Sequence, residues 1–283
     1  MHLRRWLTAL VVLPILLLVL LKGGRFYFVV LLVLVNGLAQ WEFLGMFTPE
    51  ADGARRLKAI ILGSLVVLSF CCAAPGGAKV CQPSGVILCN PSPVLFVLVW
   101  CLFFLFLFYL LSYTHLKEVG RDLAVSALGL LYLPFLLGHL VWLRYLFQGE
   151  WWVLWLLIVT FSGDTAAFYV GQALGKRKLY PEVSPGKTWA GAVGGLAACL
   201  VVGVLGGKWL LLGMRLPWLI SLSAALAVVG QLGDLFESML KRQTQVKDAS
   251  QILPGHGGLL DRLDSLVFAA PLGVFARLFL LGW

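Results

Sequence analysis

Charge is scarce in this sequence. Only 12% of its 283 residues are Asp, Glu, Lys or Arg, 60% are hydrophobic, and the mean hydropathy is +0.94. That scarcity excludes a soluble globular domain, because one core of this size cannot bury apolar runs that recur from end to end. The expected class is all-α, a polytopic integral membrane protein. Cysteine motifs are missing too. Cys71, Cys72, Cys81, Cys89, Cys101 and Cys199 form no CxxC pair and have no histidine close in sequence, which excludes an ordinary zinc site. Cys81 and Cys89 share a loop, so a disulfide between them requires that loop to face an oxidising compartment. There is no GxxxxGK[ST] loop, no repeat, no low-complexity tract and no polar segment long enough to fold alone. One membrane domain over residues 1–283 is expected, with 1–150 as scaffold and 151–283 carrying the chemistry.

Nine apolar runs are present. The first follows MHLRRW and lacks a small-residue cleavage site, so a retained helix is expected rather than a signal peptide. The others run from Phe26 to about Phe47, Ala59 to Ala73, Val94 to Leu111, Leu123 to Leu140, Trp151 to Leu174, Ala190 to Leu205, Leu216 to Leu240 and Leu263 to Leu281. Each is long enough, some barely, to cross ~30 Å of hydrocarbon at ~1.5 Å per residue. Residues 175–189, GKRKLYPEVSPGKTW, read as a basic loop. A cytoplasmic N-terminus leaves only Lys22, Arg25, Lys79, Arg144, Lys208 and Arg215 on the far face, the direction that the positive-inside rule requires. The net charge of +9 therefore marks cytoplasmic loops and anionic headgroups rather than nucleic acid. It also suits a phosphate-bearing substrate.

What charge there is collects in one place. Residues 233–265 hold Asp234, Glu237, Asp248, Asp261 and Asp264, five of the chain's 13 acids, with Lys241, Arg242, Lys247, His256 and Arg262. Asp234, Glu237, Ser238 and Lys241 lie at i, i+3, i+4 and i+7, one face of a helix. Asp261, Asp264 and Ser265 repeat the pattern at the next helix. Two helices offering carboxylates at one depth make a site for a hard cation such as Mg²⁺, the alternative being salt bridges that close the helix ends. Between them LPGHGGLLD is a Gly-rich turn whose Gly257 and Gly258 permit close backbone approach to a phosphate. His256 reads as a substrate contact or as a loop residue with no task. Ser184, Gly186, Lys187 and Thr188 supply a flexible backbone, an ammonium and two hydroxyls. Asp164 lies inside an apolar run, where a carboxylate costs about 2.5–3.5 kcal/mol on insertion scales, so it is a functional candidate or a hydrogen-bond partner for another helix. Glu42, at the end of a run beside Trp41, reads as interfacial unless it turns into the bundle.

The order S-x-L-K-R-x-x-x-x-K-D-x-S-x-x-L-P-x-H-G-G-L-x-D-R-L-D, from Ser238 to Asp264, resembles the signature of the phosphatidate cytidylyltransferase (CDP-diacylglycerol synthase) family. G-D-T-A-A-F-Y at 163–169 and S-P-G-K-T-W-A-G at 184–191 resemble two further motifs of that family, in the same order. The resemblance implies transfer of CMP from CTP to phosphatidate, giving CDP-diacylglycerol and pyrophosphate. It implies Mg²⁺, with a possible second cation, a multi-pass protein of the inner (plasma) membrane with its site facing the cytoplasm, and a homodimer. Carried over residue by residue, Asp234 and Asp261 become metal ligands and Asp264 and Asp248 support them. Lys241, Arg242, Lys247 and Arg262 become phosphate binders, with Ser238, His256, Gly257, Gly258 and Asp164 at the substrate. Ser184, Lys187 and Thr188 would hold phosphate or nucleotide. The chain departs from the family loop in having Gly186 where Lys is usual and Ala190 where Glu is usual, an ion pair lost as a unit. A CTP-dependent lipid-alcohol kinase and an ion or anion transporter are the alternatives.

Overall fold

The computed structural model describes residues 13–50, 53–73, 92–116, 118–250 and 257–279. Cys81, Cys89 and His256 lie outside these. The chain divides into two compact units, one comprising residues 1–146 and 248–260, the other residues 147–247 and 261–283. Among the described residues seven helices are long and apolar enough to cross a membrane. They coincide with seven of the nine apolar runs, and the chain is an all-α polytopic membrane protein. The first run begins outside the described residues, and the described part of the last is 16 residues long.

The first unit contains α1 (residues 13–21), α2 (Gly24–Phe47), α3 (Gly53–Ala73), α4 (Ser92–Leu111), α5 (Val119–Leu130) and α6 (Leu136–Tyr145). Leu131–Phe135 is a π-helical turn joining α5 to α6, and it contains Pro134. Proline has no N–H to give, so a wider turn at this point keeps the helix going past it. The helix expected to end at Leu140 runs on to Tyr145. The unit's core packs Phe43 of α2, Phe70 of α3 and Leu133, Leu137 and Leu143 of the π-α6 segment, all at most 1% exposed. Phe70 lies so close over Gly138 that a Cβ there would collide with its ring.

The second unit contains α7 (Gly149–Leu174), a β-hairpin of β1 (Lys178–Tyr180) and β2 (Ser184–Thr188), α8 (Trp189–Leu210), α9 (Leu216–Gln243) and α10 (Asp264–Phe279). The hairpin replaces the loop expected at 175–189. Its strands are antiparallel, Lys178 opposite Thr188 and Tyr180 opposite Ser184. Thr188 ends β2 and caps α8 by accepting from the Gly191 amide at 3.1 Å, so strand and helix meet at one residue. Helices α7 and α8 approach closely. Trp155 donates its indole N–H to the Gly203 carbonyl at 2.8 Å, and a Cβ on Gly191 would sit 2.6 Å from the Ala167 carbonyl. This closeness fixes the hairpin against the C-terminal half of α7.

Candidate active site

Three separated motifs of the second unit line one cavity of about 570 Å³. Asp164 comes from α7, Ser184, Gly186, Lys187 and Thr188 from β2, and Gln231 and Asp234 from α9. The volume falls within the roughly 300–1,000 Å³ of small-molecule sites. Lys187 puts its ammonium 2.7 Å from Asp234 Oδ2, with both side chains partly open to the cavity. Asp164 accepts from the Ser265 hydroxyl at 3.0 Å, so it both faces the cavity and ties α7 to α10. Gln231, which the sequence reading passed over, donates to the Ala192 carbonyl at 3.0 Å and supplies an amide to the wall. No acid–base motif announces it, and its place one turn before Asp234 on α9 is the only signal.

The Lys241 ammonium lies between two carboxylates, 3.0 Å from Glu237 Oε1 and 2.7 Å from Asp261 Oδ1. Glu237 is fully buried and Asp261 nearly so, so this is an internal bridge from α9 to the 3₁₀ turn Leu260–Arg262. The helix-face spacing of Glu237 and Lys241 holds, but its cation is engaged within the protein. Arg242 donates to the Val183 carbonyl at 3.0 Å and thereby holds the hairpin turn to α9. Asp264 accepts the Ser265 amide at 2.7 Å at the start of α10. Ser238 is buried, and Lys247 and Arg262 are exposed.

The expected metal ligands Asp234, Asp261 and Asp264 do not form a cage. Among the described residues no three His, Cys, Asp or Glu side chains are gathered closely enough to hold a metal ion. Asp164, Asp234 and Asp264 are nonetheless near enough for their charges to act on one another. Asp164 and Asp234 line the cavity, and carboxylate oxygens are donors of the kind that Mg²⁺ takes one or two at a time, completing its shell with water and phosphate oxygens.

The Gly-rich turn belongs to the first unit together with Asp248, which is exposed. Glu42 of α2 is 3% exposed and accepts from the Leu259 amide at 2.9 Å, the Leu260 amide at 2.7 Å and the Ser250 hydroxyl. It is not an interfacial residue. Two amides of the turn thought to greet a phosphate are taken by this carboxylate. Gly257 adopts φ 83°, open to glycine at no steric cost, and a Cβ on Gly258 would lie 2.9 Å from Glu42 Oε2. Of the two places open to it, the interface and the bundle interior, Glu42 takes the interior, where a carboxylate needs donors of this kind.

The model of the cytidylyltransferase family matches residues 3–280. The chain belongs to that family. A cytidylyltransferase relative from Pseudomonas aeruginosa, named phosphatidate cytidylyltransferase, is 37% identical over 99% of this chain and 98% of its own length. Relatives of the same name from Haemophilus influenzae and Bacillus subtilis are 42% and 40% identical over 48% and 57% of this chain. Those two matches span 48% and 62% of the relatives' own lengths, less than two thirds of either.

Proposed function

We propose that this protein transfers CMP from CTP to phosphatidate, releasing pyrophosphate and forming CDP-diacylglycerol. The observation that supports this is the convergence of Asp164, Lys187, Thr188 and Asp234 on one cavity in a chain matched to the cytidylyltransferase family along nearly its whole length. The reaction forms a bond from a phosphatidate phosphate oxygen to the α-phosphorus of CTP and breaks the bond from that phosphorus to the β-phosphate oxygen. Little covalent work falls to the protein, so catalysis rests on positioning and on neutralising charge as it moves. Lys187 offers a cation to the phosphates once it turns from Asp234, and Ser184 and Thr188 offer hydroxyls. The attacking phosphate is already anionic near neutral pH, so no dedicated base is required. Mg²⁺ would be held by Asp234 and Asp264, with Asp164 beside them and Asp261 positioned through Lys241. When bound, it supplies charge neutralisation at the phosphates.

The same reading places nine spans in a bacterial plasma membrane with the N-terminus and the site on the cytoplasmic side, where CTP is available. It treats the chain as one membrane domain that assembles as a homodimer. Lys247, Arg262 and Asp248 remain candidate phosphate contacts on this reading, as do Gly257, Gly258 and His256. The test is the purified protein with CTP, phosphatidate and Mg²⁺, followed by identification of the lipid product. CDP-diacylglycerol and pyrophosphate are expected. A phosphorylated alcohol with release of CDP would overturn the reading in favour of a lipid kinase.

The departure at Gly186 gives a milder prediction. Nothing lies within 4 Å of a Cβ built at Gly186, so Gly186→Lys is expected to leave the thermal midpoint unchanged. The added ammonium at the cavity wall should lower the KM for CTP by about two- to five-fold, the range of an exposed ion pair. Steady-state kinetics at fixed phosphatidate would read this directly.

A further inference from the structure

The first unit has a second cavity, of about 250 Å³, that shares no lining residue with the one around Asp234. Arg55 and Lys58 of α3 stand at one end of it, and Ile61 and Leu62 of α3 with Phe104 and Phe108 of α4 line the rest. No carboxylate is among its lining residues. Ile61 and Phe104 are more than half exposed, so the cavity is a groove open to the outside of the unit. Both helices are of membrane-spanning length and composition, and lipid is what bathes such a surface.

The arrangement runs from charged to apolar along α3. Lys58 precedes Leu62 by one turn, about 6 Å of rise, so cations sit at the mouth and hydrocarbon lines the groove below. Basic residues in the first turns of a helix oppose its dipole, so neither Arg55 nor Lys58 gains from the dipole of α3. Both are held at the rim: Arg55 by Asp122 at 3.2 Å, and Lys58 with its ammonium 4.2 Å from the centre of the Phe108 ring. On the inner wall Tyr109 and Ser126 hydrogen-bond each other at 2.8 Å, which spends their polarity and leaves the interior apolar. A dry apolar groove at membrane depth is filled by hydrocarbon, not water.

We propose that this groove between α3 and α4 holds an anionic phospholipid of the surrounding bilayer, its phosphate against Arg55 and Lys58 and one acyl chain along Ile61, Leu62, Phe104 and Phe108. Charge complementarity selects the occupant, because basic pockets between spans favour anionic headgroups over zwitterionic ones. The lipid is bound, not turned over.

The test uses the delipidated full chain in detergent, titrated with phosphatidylglycerol or phosphatidylcholine of identical acyl chains and read by native mass spectrometry. Phosphatidylglycerol is expected to be retained in preference to phosphatidylcholine. Lys58→Gln should weaken it about five-fold without changing phosphatidylcholine. Ala59→Trp, which fills the groove, should remove both. Equal retention of the two lipids by the parent protein would overturn the proposal, as would unchanged phosphatidylglycerol binding in Lys58→Gln. So would an Ala59→Trp protein that keeps its lipid but shifts from dimer to monomer, since a second copy would then be the occupant. Should Ala59→Trp fail to fold, the Lys58→Gln comparison decides alone. Phosphatidylglycerol is not a substrate of the proposed reaction, so this outcome is independent of the cytidylyltransferase assay.

Discussion

Asp234→Asn should lower pyrophosphate release from CTP and phosphatidate by about 100- to 1,000-fold, the usual cost of removing one preorganised electrostatic group. The fold should survive. Asp234 is about one-third exposed, and its pair with Lys187 is open to the cavity, so the stability lost is expected to stay within about 1 kcal/mol. Asparagine keeps the shape and removes only the charge. What changes is the site: Lys187 loses the partner that aims it, and the cavity loses a carboxylate that the proposed reading assigns to Mg²⁺. Asp261→Asn provides the contrast. Asp261 is 10% exposed and shares the Lys241 ammonium with the fully buried Glu237, so its neutralisation should lower the thermal midpoint as well as the rate. Circular dichroism melts alongside the pyrophosphate assay separate the two. Full activity in both variants would sink the assignment of this region to the chemistry.

The spans were legible because lipid imposes a simple code: a helix that satisfies its own backbone and shows apolar side chains everywhere. The code failed where polarity is paid for locally. The run expected to end at Leu140 continues to Tyr145, and the Arg144 guanidinium near its end is buried and donates to the Leu20 carbonyl at 3.3 Å. The hairpin was illegible for another reason. Pro185 and Gly186 are poor strand formers, and only an edge pair of two short strands, with Arg242 fastening its turn, accommodates them. At the site, Asp164, Lys187 and Asp234, singled out one by one from residue type and setting, line the same cavity. Spacing could not reveal that residues 70 positions apart share one cavity, because that depends on how α7, β2 and α9 pack. Nor could it tell a cation facing substrate from one facing a neighbour. Lys187 and Lys241 look alike in sequence, but one lines the cavity and the other closes an internal bridge.

Glu42→Ala is the second large effect expected, and it acts from a helix on which no chemistry was foreseen. The substitution strands the Leu259 and Leu260 amides, both of which donate to Glu42, and removes one acceptor of the Ser250 hydroxyl. A buried donor left unsatisfied costs about 1–3 kcal/mol, so a local loss of about 3 kcal/mol or more is expected. That corresponds to amide hydrogen exchange at Leu259 and Leu260 faster by about 100-fold, because the turn opens on its own before the helices do. The consequence for function follows from chain connectivity. Leu260 is followed directly by Asp261 and Arg262, so a loosened turn blurs the position of the 3₁₀ segment and of Asp264 after it. Positioning, not binding strength, is then what is lost, and kcat should fall by about ten-fold or more while the KM for CTP changes little. Glu42→Gln should be intermediate, since its amide oxygen still accepts while its NH₂ meets a donor. Gly258→Ala should reproduce the Glu42→Ala phenotype from the other side of the contact, because the new Cβ would press on Glu42 Oε2. Unchanged exchange at Leu259 and Leu260 in Glu42→Ala would show that the carboxylate is a passive occupant of the turn. Faster exchange with an unchanged kcat would confine its role to stability.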